Sequence, residues 1–443
     1  MRPWGAVSAS PAVPSTTRRQ RLAFRLVGSA LALGVALATV EALFHLAPGL
    51  VPESFRQRFP PHGVEFFAPG VLDRTPVDGV PIPTGIRPFD GPPMHDLADV
   101  GVARAGIVLD RRDVPRLVLP VDRDGFVNAP ALAGAADAAD APVDLAILGD
   151  SFAALAGQSE PPGLVAALAR ELGVRIHNTG VPGIGPEHEL WLLRQRALPR
   201  RPRVVLWFVY GGNDFINAYF LQLARSGGAA TLADIHRDAR RPTFVLPALA
   251  ASWFAPAANA PTDAGELPPV RVRGCADAAT WFHPDTLRFL GLSREALQGM
   301  PAWSSIAAAL AAGQRDVAAA GGRLFVVYLP GKEQAMLPLL ADDAELVSRY
   351  LARSSLAVIP VPPEPAAALA LVRANADAME QLVAAQCAAI GAEYWSATPV
   401  LRAAVANCAE AYYRADSHWR AEGQALVAPE LVVRLRALGL GRK

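Results

Sequence analysis

The stretch Ala146-Ile147-Leu148-Gly149-Asp150-Ser151-Phe152 closes a short apolar run, Val143 to Leu148 apart from Asp144, with an abrupt Gly-Asp-Ser. The segment Gly163 to Leu172 that follows reads as a helix, so the local plan is strand, tight turn, helix. A serine placed this way stands at the C-terminal end of a strand beside a helix N-terminus, exposed above the sheet edge among free backbone N–H donors. Such a place suits a nucleophile. Taken alone, Gly-Asp-Ser is also an ordinary turn and N-cap sequence, so its reading depends on the rest of the chain.

Outward from this stretch, strand-like runs alternate with helical ones. The strands are expected at Val143 to Leu148, Val174 to His177, Val204 to Val209, Arg323 to Leu329 and Ala392 to Trp395. The helices are expected at Gly163 to Leu172, Glu187 to Ala197, Ser304 to Ala320, Ala374 to Ile390 and Gly423 to Leu438, the last with a kink at Pro429. This alternation predicts βαβ units and a parallel sheet covered on both faces. Residues 215–302 break the rhythm and are expected to form an inserted cap or lobe. Its aromatic residues Trp253, Trp281 and Phe282, with Trp303 just beyond, either line an apolar substrate face or pack a small core.

The 443 residues are 52% hydrophobic and 19% charged with a net charge of +1, so no broad electrostatic field draws the protein to nucleic acid. Residues 1–25 carry five arginines and no acidic residue. The 19 residues from Leu26 to Phe44 form an apolar run whose only charge is Glu41 and would span roughly 28 Å as a helix at about 1.5 Å per residue, enough to cross a bilayer. The arginines predict a cytoplasmic N-terminus and an extracytoplasmic remainder. A cleaved signal peptide with the small-residue pattern Ala36-Leu37-Ala38 is the rival, and it exports the same part. The expected organisation is a basic tail over 1–25, an anchor over 26–46, an extracytoplasmic lead-in over 47–141 and a main domain over 142–438. Within the lead-in, Val121 to Asn128 reads as a turn between extended pieces. Cys275, Cys387 and Cys408 lack metal-ligand spacing and allow one disulfide with a thiol left over. No phosphate-cradling loop stands out, so neither a metal nor another cofactor is expected.

Four blocks stand out, three of them at the expected C-terminal ends of strands. They are Gly149-Asp-Ser-Phe152, Asn178-Thr-Gly-Val-Pro-Gly183, Gly211-Gly-Asn-Asp214 and, near the C-terminus, Asp416-Ser-His-Trp419. Together, over roughly residues 121–438, they resemble the SGNH (GDSL) hydrolase superfamily, and the Asp-x-His-Trp block is similar to that of membrane-anchored and AlgJ/AlgX-like relatives. The resemblance implies a flavodoxin-like three-layer α/β/α fold and esterase, lipase, carbohydrate O-acetylesterase or O-acyltransferase activity.

The chemistry accounts for the residue types. A hydroxyl is a poor nucleophile, so Ser151 needs a base, and His418 is the candidate. An imidazole takes and returns a proton near neutral pH, and Asp416 would hold its tautomer and stabilise the imidazolium. The family pattern implies an oxyanion hole of the Ser151 and Gly183 N–H groups and the Asn213 side-chain amide, with Gly180 competing with Gly183. Asp150, Gly180, Lys332 and Trp419 are candidates for the rim of the site; for Pro330-Gly-Lys-Glu333 the plainer reading is a helix N-terminus. The function expected is removal of a short acyl (O-acetyl) group from an extracytoplasmic carbohydrate or small ester. The alternatives are acyl transfer to an envelope polysaccharide, with a membrane acyltransferase as partner, or an inactive carbohydrate-binding or assembly protein.

Overall fold

The computed structural model describes residues 18–46, 72–77, 80–86, 119–122, 124–128, 141–159, 162–225, 267–275, 279–340, 343–354, 356, 359–414 and 417–441. The chain divides into two units, residues 1–61 with 240–263 and residues 62–239 with 264–443. Of the first unit the described part is one helix, Arg18–Leu46. Its stretch Phe24–Leu43, 20 residues, is long and apolar enough to cross a membrane. Phe24, Leu26, Val27, Leu31, Leu33 and Val35 are all exposed, the opposite of a helix buried in a soluble core.

The second unit is built on seven consecutive apolar residues, Val204-Val-Leu-Trp-Phe-Val-Tyr210, which form the central strand β5. Side chains alternate across a strand, so a run apolar at every position needs cover on both faces. The cover is present: Val204, Leu206, Phe208 and Tyr210 enter one hydrophobic core, while Val205, Trp207 and Val209 enter another. The first core is completed by the helices Ser151–Ala156, Leu164–Leu172, Thr398–Ala406 and Ala421–Ala437. The second is completed by Pro186–Leu192, Asp214–Arg225, Pro301–Ala319 and Ala378–Ile390. The result is a three-layer α/β/α body.

All five expected strands of the sheet are present. Beside β5 they are β3 (Leu145–Leu148), β4 (Ile176–Asn178), β8 (Arg323–Leu329) and β9 (Glu393–Ser396). Their order is β4-β3-β5-β8-β9 with every pairing parallel. Counted along the sheet's own strands this is 2-1-3-4-5, the flavodoxin-like order, whose direction of winding reverses between β3 and β5. Ser151 follows β3 and Asn213 follows β5, so two blocks flank that reversal. A hairpin, β1 (Leu72–Val77) with β2 (Val80–Ile86), lies within the expected lead-in.

The expected helix Glu187 to Ala197 is α-helical over Pro186–Leu192 and continues as a wider turn over Leu193–Ala197. The helix Ala421–Ala437 runs through Pro429 as one element. The described parts of the 215–302 stretch are packed into the main body. They include the short strands β6 (Val270–Arg271) and β7 (Ala279–Thr280), with Phe215 and Leu297 in one core and Val272, Phe282 and Leu287 in the other. Phe282 and Trp303 are buried core residues, Trp281 donates its indole N–H to the Leu267 carbonyl at 3.0 Å, and Trp253 lies outside the described residues. Cys275 and Cys408 form a disulfide; Cys387 is a buried thiol whose pKa burial pushes up to about 12.

His177 on β4 supplies a test of the burial. Its imidazole is buried, and burial together with Arg200 and Arg196 lowers its pKa to about 3, even though Asp122 Oδ2 lies 3.9 Å from Nε2. The unfolded chain therefore takes up a proton near pH 6.5 that the folded chain refuses until about pH 3. Stability falls as pH drops through that window, by about 1.4 kcal/mol per unit from this one group. Between pH 7 and 5 the wild type is expected to lose about 2 kcal/mol more than His177→Gln in urea unfolding. Equal losses would mean that His177 titrates alike in both states.

Candidate active site

The nucleophile candidate is set by the turn after β3. Gly149 has φ +148°, a conformation that side chains rarely adopt, and a Cβ there would meet Phe208 Cβ at 3.1 Å. Asp150 caps the helix Ser151–Ala156, its Oδ1 accepting the Phe152 N–H at 2.9 Å. Ser151 is 4% exposed, and its Oγ lies 2.6 Å from His418 Nε2, across 267 residues of sequence. Asp150 Oδ2 is a second neighbour of that hydroxyl at 3.3 Å. A hydroxyl has one proton, and the shorter contact is the better acceptor when Nε2 is unprotonated.

His418 arrives on a hairpin-like loop. Tyr412 and Trp419 form an antiparallel bridge, the Tyr413 N–H donates to the His418 carbonyl at 2.9 Å, and the Arg420 N–H donates to the Ala411 carbonyl at 2.9 Å. Neighbouring residues of an extended pair face opposite ways, which gives His-Trp its meaning. His418 meets Ser151, whereas Trp419 is fully buried with Phe208 at 5.9 Å and Phe152 at 5.6 Å between ring centroids. Phe152 also stacks on the imidazole at 4.8 Å, so the residue after Ser151 supports the His418 ring. Asp416, the expected orienting acid, lies outside the described residues.

The second block is fastened by Asn178. Its side-chain amide nitrogen donates to the Ala153 carbonyl at 2.7 Å in the helix Ser151–Ala156, and its Oδ1 accepts the Gly180 N–H at 3.0 Å. Asn178 N–H donates in turn to Asn128 Oδ1 at 2.9 Å, and Asn128 Nδ2 donates to the Asn178 carbonyl at 2.9 Å. The Val121–Asn128 turn is thereby part of the body, and Phe126 and Val127 are fully buried. Gly180 packs so closely on the helix that a Cβ would come within 2.4 Å of Ala154 N. Its N–H is committed to Asn178, while Gly183 is exposed with φ +75°.

In the third block the Asn213 side chain hydrogen-bonds the Asp150 carboxylate. An amide nitrogen carries two protons, so one such bond leaves a second donor. Asp214 Oδ2 accepts the Tyr210 N–H at 2.7 Å, and Asp214 is fully buried. Glu189, which no sequence motif marks, is also fully buried and accepts the Trp207 indole N–H at 2.5 Å. Burial holds Asp150, Glu189 and Asp214 above the usual carboxylate range, and for Glu189 and Asp214, held well above it, neighbouring carboxylates push the same way. A glutamate on the apolar side of the Pro186–Leu192 helix was the available signal.

The four rim candidates lie below the surface, as Ser151 itself does. Asp150, Gly180, Lys332 and Trp419 are all buried, because each is used from beneath: as a cap, as a close contact, as a donor to main-chain carbonyls and as core. Ser151, His418, Asp150 and Asn213 are brought together by the geometry above.

No protein-family model matches the chain, and no curated protein matches it. Among solved structures it is similar to the acetylxylan esterase Axe2 of Geobacillus stearothermophilus at 12% identity and TM-score 0.34, covering 69% of this chain and 99% of that one. It is also similar to the lipase/acylhydrolase of Enterococcus faecalis at 12% identity and TM-score 0.30, covering 68% and 97%.

Proposed function

We propose that the protein is a serine ester hydrolase, tethered by its N-terminal helix, that removes O-acyl groups, acetyl foremost, from an extracytoplasmic carbohydrate. The observation that carries this reading is the 2.6 Å contact between Ser151 Oγ and His418 Nε2 at the reversal of strand order. In the proposed reaction Ser151 Oγ attacks the ester carbonyl as its proton passes to His418 Nε2. The oxyanion is met by the Ser151 and Gly183 N–H groups and the free donor of Asn213. Collapse expels the alcohol, which takes the proton from His418, and leaves an acyl-enzyme. Water then repeats the sequence, releasing the acid and restoring Ser151. Asp416 is assigned the orienting of His418.

The arginine-rich flank of the apolar helix supports an inward N-terminus, and the Cys275–Cys408 disulfide fits an oxidising compartment for the catalytic body. The test uses the full chain in detergent with p-nitrophenyl acetate, butyrate and octanoate, an O-acetylated oligosaccharide, and a fluorophosphonate followed by peptide mapping. Ester turnover that declines with acyl length, with the phosphonyl adduct on Ser151, is the expected result. Acylated sugar appearing only when an unacylated acceptor is added would redirect the assignment to a transferase. No turnover and no adduct would leave a binding protein.

A further inference from the structure

We propose that Lys332 and Glu333 are positioning residues for His418, clamping the loop that carries it; this rests on the Ser151–His418 reading above. The pair opens the short helix Lys332–Met336 at the C-terminal end of β8. Both side chains are fully buried, a rare state for lysine and glutamate unless they are bonded. Lys332 Nζ donates to the Tyr413 carbonyl at 3.1 Å and to the Arg414 carbonyl at 2.9 Å. Glu333 Oε1 accepts the His283 N–H at 2.7 Å and the Ser417 hydroxyl at 3.4 Å. From the same block, the Pro330 carbonyl accepts the Tyr412 hydroxyl at 3.1 Å.

These bonds converge on one short segment. Residues 412, 413, 414 and 417 are each tied down, up to the residue before His418. The Arg414 carbonyl is held further by Thr280 Oγ1 at 2.7 Å and by the Trp281 N–H at 2.8 Å. Burying an ammonium is costly, and an apolar side chain of similar volume would fill the space without that cost. What the ammonium supplies instead is direction: it fixes two successive carbonyls of a loop whose own ladder is a single bridge. Ser151 and His418 belong to different elements, so their 2.6 Å separation is only as constant as this loop. A misplacement of about 1 Å in a reacting pair lowers the rate by about a hundredfold. The bonds of Lys332 and Glu333 to the loop run to its main chain and to the Ser417 hydroxyl, so the effect is one of placement.

The test compares full-length wild type, Ser151→Ala, Lys332→Met and Thr280→Val in detergent. It measures kcat and KM for p-nitrophenyl acetate, the rate of fluorophosphonate labelling, and thermal unfolding. Lys332→Met is expected to lower kcat and the labelling rate by about 10- to 100-fold with KM within about twofold. Thr280→Val removes one donor to the same carbonyl with little change of shape and is expected to lower kcat by about threefold or more. Propylammonium added to Lys332→Ala should restore turnover, and propanol should not; a structural loss would respond to neither. Wild-type turnover equal to that of Ser151→Ala overturns the catalytic reading and the clamp together. Serine-dependent turnover that Lys332→Met retains within twofold while folded overturns the clamp alone. Should Lys332→Met not fold, an unchanged kcat in Thr280→Val does the same.

Discussion

Ser151→Ala and His418→Gln are each expected to reduce kcat for p-nitrophenyl acetate by about 10⁴- to 10⁶-fold, with the double variant no slower than either. The two residues form a single unit. Without the imidazole the Ser151 hydroxyl keeps Asp150 Oδ2 as a neighbour at 3.3 Å, but that carboxylate already accepts the Phe152 N–H and the Asn213 amide, and burial favours its neutral form. It is a poor base. Without the serine, His418 has no hydroxyl to activate. Losses in the single variants that multiply in the double would mean that the two act in separate steps. Glutamine is the better replacement at 418 because it fills much of the space beneath Phe152, and thermal unfolding of each variant separates loss of chemistry from loss of fold.

Asn213→Ala is expected to lower kcat by about 10²- to 10³-fold while KM changes little. Of the three proposed oxyanion donors, those of Ser151 and Gly183 belong to the main chain, so Asn213 is the one that substitution can remove. The amide has a second task as partner of the Asp150 carboxylate, which leads us to expect a stability loss of about 1 kcal/mol beside the kinetic effect. Steady-state kinetics with acetyl and butyryl esters make the check. A change confined to KM would move Asn213 from stabilising the transition state to holding the substrate.

Much of this arrangement is legible without coordinates. Strands buried on both faces are continuous apolar runs, and Val204–Tyr210 and Arg323–Leu329 announce themselves that way. Ser151 and Asn213 are legible because each follows such a run directly, where a parallel sheet places its reacting groups. The helix Ser151–Ala156 was not, since all six of its residues are buried and leave no amphipathic period to read. The helices Ala344–Ala352, Pro365–Asn375 and Thr398–Ala406 are not legible either, each being short.

Taken by itself, the amino-acid sequence determined the α/β class, the succession of strands, the apolar N-terminal helix and the residue types available for chemistry, because each is written in neighbouring positions. The tertiary structure alone decided that His418 Nε2 meets Ser151, that the Asn128–Asn178 pair joins residues 50 apart, and that Lys332 reaches carbonyls some 80 residues onward. It also turned the supposed rim residues inward. Local periodicity reports which side of an element is apolar; where a buried polar group finds its partner depends on how distant elements pack, and an unpaired one is too costly to keep.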